Sequence, residues 1–263
     1  MREKYILILF ILISILFSGC EKIQPGPEDH AEFTATDGVI LVGKFIPPRY
    51  YRGGTPKTPD KLTFIMMHGL ASTKGEWFNF ADKLAKEGYG YFAFDLRGHG
   101  ESTKNKNGEI IDYKYFGQPG PGSKWELIIT DVDSAVKYLT SKKGIPKNRI
   151  ALMGASVGAN VALIYSAKHK FIPLVVLLSP GWEYIGLNIE SSIKEYGHRP
   201  LLIAASPGDE YAYKSSIIME QIANKYGTTV KFLSGKEHQH GVQMFTSAFE
   251  DLLISWLKNT DTH

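Results

Sequence analysis

The sequence contains a serine in a glycine-flanked turn. A serine in such a turn can form a covalent intermediate with a substrate. Gly154-Ala155-Ser156-Val157-Gly158 matches the pattern G-x-S-x-G. It follows an apolar run at 150–153 that is typical of a buried strand, and a helical pattern begins at its end. The small residues let strand and helix approach closely and leave the hydroxyl exposed above the sheet edge. We therefore predict that Ser156 is a nucleophile.

A serine hydroxyl is weakly nucleophilic unless a base accepts its proton, so a histidine and an orienting acid are needed. Asp209 lies in the turn Ser206-Pro207-Gly208-Asp209, directly after the apolar run 201–205. His240 precedes Gly241 and follows the last strand-like run. The order serine, aspartate, histidine predicts Asp209 as the acid and His240 as the base.

Neighbouring residues could take two of these roles. Glu210, adjacent to Asp209, or Glu183, after the preceding strand, could supply the acid instead, and His238 lies in the same loop as His240. His68 and His99 precede the serine, so the order of the residues leaves them no place in the triad and we interpret them as structural.

Several motifs together resemble those of the α/β-hydrolase superfamily. They are His68-Gly69-Leu70, the segment from Asp95 to Ser102 that reads DLRGHGES, the serine turn, and the later aspartate and histidine. The similarity extends over residues 33–257, and within the superfamily the chain looks like compact esterases and dienelactone-hydrolase-like members. Dienelactone hydrolases proper use a cysteine nucleophile, so Ser156 departs from their pattern.

The resemblance implies both a fold and the surroundings of the nucleophile. It implies an α/β-hydrolase fold whose mostly parallel, eight-stranded sheet carries helices on both faces. It also implies that the backbone N–H groups of Leu70 and Val157 bind the oxyanion that forms during acyl transfer.

Short apolar runs that alternate with amphipathic stretches support this fold class. The predicted strands are 33–36, 39–45, 62–67, 91–94, 150–153, 174–178, 201–205 and 229–233. The predicted helices are 77–85, 127–139, 157–168, 217–226 and 245–257. Asp37-Gly38 predicts a hairpin between the first two strands.

The segment between the strands at 174–178 and 201–205 is too short for a helical cap domain, which predicts a fairly open site. Trp182 and Tyr184 follow a strand end, where ligands bind in open α/β sheets, and could line the substrate pocket or simply cover the sheet edge. The long loop 103–124 is interpreted as a wall of the cleft.

The first residues have the features of a bacterial lipoprotein signal peptide. Arg2 and Lys4 precede an apolar run that is too short to span a bilayer comfortably, and Leu16-Phe17-Ser18-Gly19-Cys20 resembles a lipobox. We therefore predict a signal peptide at 1–19, lipid attached to Cys20, a tether at 20–31 and a hydrolase domain at 32–263. An uncleaved helical anchor and ordinary secretion are the alternatives. These expectations place the protein in the cell envelope, on a membrane.

Composition narrows the possible functions. The formal charge of +3 becomes +2 once the net +1 of residues 1–19 is removed, a balance that argues against nucleic acid as a partner. We find no metal-ligand spacing around His238 and His240 and no phosphate-binding glycine motif, so we expect no metal or cofactor. The sequence predicts a serine hydrolase of small or medium carboxylic esters. A peptidase or thioesterase with the same triad, or a non-catalytic binding module on a hydrolase scaffold, are the alternatives.

Overall fold

The computed structural model describes residues 29–49 and 59–261. The predicted signal peptide, Cys20 and residues 20–28 of the predicted tether lie outside the described residues. The described strands are β1 (His30–Thr34), β2 (Val39–Ile46), β3 (Thr63–Met67), β4 (Gly90–Phe94), β5 (Lys104–Asn105), β6 (Ile150–Ala155), β7 (Val175–Leu178), β8 (Glu183–Tyr184), β9 (Leu187–Asn188), β10 (Leu201–Ala205) and β11 (Val230–Ser234). The helices are α1 (Phe78–Lys86), α2 (Leu127–Lys142), α3 (Val157–Lys168), α4 (Glu190–Glu195), α5 (Glu210–Lys225) and α6 (Ser247–Thr260).

Among the described residues the main sheet has nine strands, of which eight follow the order β1-β2-β4-β3-β6-β7-β10-β11. Pairs from β4 through β11 are parallel, whereas β1–β2 and β2–β4 are antiparallel, and the two-residue β5 adds to β2. The prediction of a mostly parallel sheet is confirmed; the eight predicted strands correspond to the eight ordered ones, and the short β5 was not predicted. All C-terminal ends of the parallel strands meet at one edge, where a doubly wound sheet holds its site.

Alternate residues of the buried strands face two separate apolar layers. On one face Ile65 and Leu152 pack with α2, α3, α4 and α5, and on the other Phe64 and Met153 pack with α1 and α6. Helices therefore cover both faces, as predicted. Each buried strand is apolar along its whole length because neither of its faces meets water.

The segment between β7 and β10 holds a small hairpin, β8–β9, and the short helix α4. Within the described residues there is no large cap domain over the sheet edge, which agrees with the expectation from the length of this segment. No helix in the described part of the chain is long and apolar enough to cross a membrane.

Some local predictions were wrong. Helix α5 begins at Glu210, seven residues before the predicted start at 217, because its first turns carry charges and tyrosines that hide the helical period. Asp131 lies on α2, within the predicted helix 127–139, where a charged residue is expected to face solvent; it is instead fully buried and pairs with Arg97. Burial raises the pKa of Asp131 to about 6, although the Arg97 guanidinium acts in the opposite direction.

Candidate active site

Ser156 occupies the sharp turn between β6 and α3. Its backbone has φ 53° and ψ −119°, a conformation that non-glycine residues rarely adopt. Gly154 and Gly158 permit this turn: a Cβ on Gly154 would lie 2.1 Å from the Gly158 carbonyl oxygen, and a Cβ on Gly158 would lie 2.2 Å from that of Met67. Close packing of α3 on β3 and β6 thus holds the serine in its strained position.

Asp209 and His240 are in direct contact. Asp209 lies in the turn after β10 and His240 in the loop after β11. The Nδ1 atom of His240 lies 2.6 Å from Oδ2 of Asp209, a length typical of a charge-assisted hydrogen bond. A proton on Nδ1 leaves Nε2 as the nitrogen that can accept one from a nucleophile.

The loop of His240 is fixed next to the serine turn. The N–H of Gly241 donates to Oγ of Ser179 over 2.9 Å, and a Cβ on Gly241 would lie 3.2 Å from Cβ of Ala155, the residue before Ser156. No direct hydrogen bond between Ser156 and His240 occurs among the described residues. The Tyr184 hydroxyl lies close to the serine side chain and donates to the Ser179 carbonyl oxygen over 3.4 Å.

The competing residues have other partners. Glu210 forms a surface ion pair with Lys214, 3.1 Å apart, and Glu183 accepts a 3.4 Å hydrogen bond from Asn188. Nδ1 of His238 lies 2.9 Å from the Gly208 carbonyl oxygen. His238 therefore helps hold the turn that carries Asp209, and it is the Asp209 carboxylate that the structure brings to His240.

The loop after β3 brings backbone amides to the nucleophile. Gly69 lies against Ser156, with an added Cβ 3.4 Å from the serine Cβ. The N–H groups of Leu70 and Val157 donate no hydrogen bond within the described part of the chain. Val157 is also the first residue of α3, where the helix dipole favours negative charge. The geometry is therefore suited to binding an oxyanion at these two amides.

His68 supports this loop from below. Its Nε2 accepts the N–H of Leu96 at 2.9 Å, so Nδ1 carries the proton and donates to the Gly69 carbonyl at 2.7 Å. Burial lowers the pKa of His68 to about 4. His99 is likewise buried and stacks on Tyr113. Both histidines therefore have structural contacts, in line with the sequence interpretation.

The DLRG segment fixes the next loop with ion pairs. Asp95 is fully buried and accepts from the backbone N–H and the ammonium group of Lys74, each over 2.7 Å. Arg97 bridges Asp131 and Asp37. These contacts tie the loops after β3 and β4 together beside the nucleophile.

Glu76 is a component of the site that the sequence analysis missed. One carboxylate oxygen accepts the Gly69 N–H at 3.1 Å and the other accepts the Ser72 hydroxyl. Burial raises the pKa of Glu76, while the charge of His240 acts in the opposite direction, so the carboxylate lies within electrostatic reach of the base. The available signal was the Thr73-to-Glu76 spacing, which matches the S/T-x-x-E pattern of ordinary helix starts and does not point to an active site.

Trp182 and Tyr184, the two predicted pocket aromatics, have different surroundings. Trp182 is half-buried against the core, and its backbone N–H donates to Oγ of Ser215 over 2.9 Å. Tyr184 extends from the β8–β9 hairpin to the serine turn. Tyr184 is thus the aromatic that the structure brings to the nucleophile.

No group of three or more metal-ligating side chains occurs in the described ranges 29–49 and 59–261. The arrangement instead combines a strained serine, a histidine bound to a carboxylate, and two available amides. Such an arrangement can carry out nucleophilic acyl transfer.

The sheet order and the position of this site define a hydrolase of the α/β-hydrolase superfamily. Solved structures share the fold. An esterase from Pyrococcus furiosus, Pf2001, superposes with a TM-score of 0.65 at 22% identity, covering 88% of this chain and 92% of the esterase. A dienelactone hydrolase from Anabaena variabilis gives a TM-score of 0.58 at 16% identity, covering 88% of this chain and 99% of the other.

The chain belongs to the serine aminopeptidase S33 family, whose profile matches residues 58–198, more than half of its length. Among curated proteins it resembles the uncharacterised protein YfhR of Salmonella typhi, with 30% identity over 139 residues. That match covers 53% of this chain and 40% of the Salmonella protein, so the chain spans less than half of that relative's length.

Proposed function

We propose that the protein hydrolyses carboxylic esters of small or medium size through an acyl-enzyme intermediate on Ser156. The observation that carries the proposal is the 2.6 Å contact between His240 and Asp209, in a loop that packs on the strained serine turn. The fold shared with an esterase of known structure gives further support.

In the proposed mechanism Ser156 attacks the ester carbonyl while Nε2 of His240 accepts the hydroxyl proton. Asp209 stabilises the resulting imidazolium, and the amides of Leu70 and Val157 stabilise the oxyanion. The protonated histidine gives its proton to the departing alcohol. Water then attacks the acyl-enzyme with the same base, which restores the serine.

The Ser156 hydroxyl must rotate into hydrogen-bond contact with Nε2 of His240 for the first step. Such a rotation about one side-chain bond is inexpensive, and catalytic hydrogen bonds commonly shorten only when substrate binds.

A fluorophosphonate probe tests the nucleophile directly, because it labels only a serine that a base activates. We expect labelling of the wild-type protein and none of Ser156→Ala, which retains the same fold because it loses little buried area. Absence of labelling in the folded wild type would instead indicate a surface-tethered binding module on a hydrolase scaffold. Turnover of an aryl ester by Ser156→Ala at the wild-type rate would exclude the proposed nucleophile.

The family match raises aminopeptidase activity as a second candidate. An aminopeptidase must bind the substrate ammonium group, for which a free carboxylate is the natural partner. Glu76 lies near the base, but each of its oxygens already accepts one hydrogen bond, from Gly69 or from Ser72, so it is less available to an ammonium group and we favour esters. A panel of aryl esters, acyl thioesters and aminoacyl amides separates the esterase, thioesterase and peptidase activities by their kcat/KM values.

We also propose that lipid on Cys20 anchors the enzyme to a membrane of the bacterial cell envelope. The lipobox-like sequence supports this proposal. Two or more acyl chains would suffice to hold the protein there, since each buried methylene contributes about 0.8 kcal/mol.

A further inference from the structure

The β8–β9 hairpin is fixed over the site by hydrogen bonds to two helices. On α3, the buried Asn160 accepts the Gly181 N–H at 3.1 Å and donates to the Leu187 carbonyl at 2.8 Å. On α5, the hydroxyl of Tyr211 accepts the Glu183 N–H at 3.0 Å and donates to the Glu183 carbonyl at 2.8 Å. The hairpin is therefore a supported part of the site and not a free flap.

This hairpin presents the ring of Tyr184 in one position. A Cβ on Gly181 would lie 2.6 Å from the Tyr184 ring and 2.8 Å from the Tyr211 ring, so glycine provides the space that both rings fill. The two rings meet edge to face, with centroids 5.6 Å apart. Packing therefore holds the phenol in place, with its hydroxyl 3.4 Å from the Ser179 carbonyl oxygen, next to Leu178, whose carbonyl accepts the Ser156 N–H at 2.8 Å.

The strand order decides from which side Tyr184 approaches the nucleophile. Ser156 follows β6, and the oxyanion amide of Leu70 follows the neighbouring strand β3. Tyr184 follows β7 on the opposite side, the same side as Asp209 after β10 and His240 after β11. Once the carbonyl oxygen of an ester binds at Leu70 and Val157, the leaving oxygen must face this opposite side, where the base can protonate it.

The Tyr184 hydroxyl stays protonated, and the hydrogen bond that it donates in this structure is weak. Burial, followed by the charge of Asp209, raises the pKa of the phenol, so it remains protonated at working pH. Its proton is directed at the Ser179 carbonyl over 3.4 Å, which is long for an O–H···O hydrogen bond. Redirecting that proton to a substrate oxygen therefore loses only this weak hydrogen bond.

We infer that Tyr184 is a further catalytic residue, which donates a hydrogen bond to the leaving-group oxygen when the tetrahedral intermediate breaks down. The inference rests on the proposed function. The inference gives the phenol a role in selecting substrates, because its hydrogen bond helps most with esters of alcohols that leave poorly.

The step balances without another reactant. The oxyanion re-forms the carbonyl double bond, the bond from acyl carbon to leaving oxygen breaks, and its electron pair moves to that oxygen. His240 gives the oxygen its Nε2 proton. Tyr184 keeps its own proton and stabilises the charge that develops before proton transfer is complete.

Leaving-group dependence in Tyr184→Phe tests this role. The substrates are acetates of phenols from para-nitrophenol to para-methoxyphenol, together with ethyl acetate. We expect kcat/KM for ethyl acetate to fall about tenfold more than for para-nitrophenyl acetate, since one neutral hydrogen bond is lost. The plot of log kcat/KM against leaving-group pKa becomes steeper. A merely structural role would lower all substrates equally, because the phenyl ring still fills the space at Gly181.

Tyr226→Phe is the matched control, because Tyr226 is partly exposed beyond the far end of α5 and should leave the slope unchanged. An unchanged slope in Tyr184→Phe, or an equal loss for all substrates, overturns the inference while the proposed function stands. Fluorophosphonate labelling of both variants at the wild-type level shows that Ser156 is still activated. A wild type that neither labels nor turns over esters removes the proposed function, and this inference with it.

Discussion

At the scale of single residues, Asp209 differs from Glu183 and Glu210 in the backbone turn that carries it. Pro207 and Gly208 precede it, the Gly208 N–H donates to the Glu237 carbonyl at 2.8 Å, and His238 contacts the Gly208 carbonyl. The β10 turn and the histidine loop are thus joined by one backbone hydrogen bond and by one contact from the His238 side chain. A short carboxylate then reaches His240 without spanning solvent.

Asp209→Asn should therefore damage catalysis more than Glu183→Gln or Glu210→Gln. An amide at this position favours the wrong tautomer of His240 and cannot stabilise its positive charge. In a serine protease triad the corresponding change lowers kcat by about 10⁴ with geometry preserved, and we expect a loss of that order here with a modest change in KM. Steady-state kinetics on the three folded variants checks this. A larger loss in Glu183→Gln would move the acid to the hairpin.

His68 makes stability depend on pH. Its folded-state pKa is about 4, against an ordinary value of 6.5. Above pH 6.5 neither state binds a proton at this ring. Between pH 6.5 and 4 the unfolded chain binds one and the folded protein does not, so the free energy of unfolding falls as pH falls. The full effect is on the order of 3 kcal/mol.

We expect His68→Gln to flatten the slope of unfolding free energy against pH between 4 and 6.5. Urea unfolding at several pH values in this window measures the slope, which is informative even if the variant is less stable throughout. Because the His68 and His99 rings are in contact, with centroids 5.1 Å apart, a His99→Gln variant is the control that separates the contribution of His99. Identical slopes in the two proteins would contradict the assignment of a buried, neutral His68.

At the scale of elements, predictability depended on whether a signal was local. The strand 201–205 and the helix 157–168 have the bounds predicted from their apolar pattern. The β8–β9 hairpin was missed because two-residue strands have no period, and its anchor, Asn160, lies on another element. Asp131 looked solvated because its partner Arg97 comes from a distant loop.

The residues of the candidate site could also be predicted only where the signal was local. Ser156, Asp209 and His240 could be proposed because each directly follows a strand, and parallel strands bring such positions to one edge. Glu76 was missed, and the contacts of His68 and Tyr184 could be proposed only as structural or pocket-lining roles, since they depend on where loops from different strands meet. Spacing along the chain predicts candidate reacting groups better than it predicts the residues that position them.

The junction of α3 with β3 allows a prediction in which two effects oppose each other. Replacing a glycine within a helix by alanine usually stabilises the helix by about 1 kcal/mol. At Gly158 the added methyl would meet the Met67 and His68 carbonyl oxygens, which belong to backbone and cannot rotate away. We expect Gly158→Ala to destabilise the protein by about 3 kcal/mol or more in urea unfolding.

Gly75→Ala is the matched control for this comparison. Gly75 is exposed, and the nearest contact of a new methyl would be the movable Thr73 side chain, at 3.3 Å. Its effect should stay within about 0.5 kcal/mol. If Gly158→Ala were as stable as this control, close packing of α3 on β3 would not be what holds the serine turn.

At the scale of the whole molecule, the predicted anchor lies apart in sequence from the residues of the candidate active site. The described residues 29–49 and 59–261 contain both apolar layers and every residue placed in the site. The predicted anchor, Cys20, precedes them and is the single cysteine of the chain. Attachment of lipid should therefore be independent of catalysis.

We expect Cys20→Ser to abolish incorporation of radiolabelled fatty acid and to move the protein out of the membrane fraction, because serine offers no thiol for lipid attachment. Ester turnover in detergent extracts should stay at the wild-type level, since the substitution touches neither apolar layer. Ser156→Ala provides the reciprocal control: it should keep the label and the membrane location and lose turnover. Fatty acid found on Cys20→Ser would show that the anchor lies elsewhere. Loss of turnover in soluble, folded Cys20→Ser would show that lipid attachment and the catalytic domain are coupled.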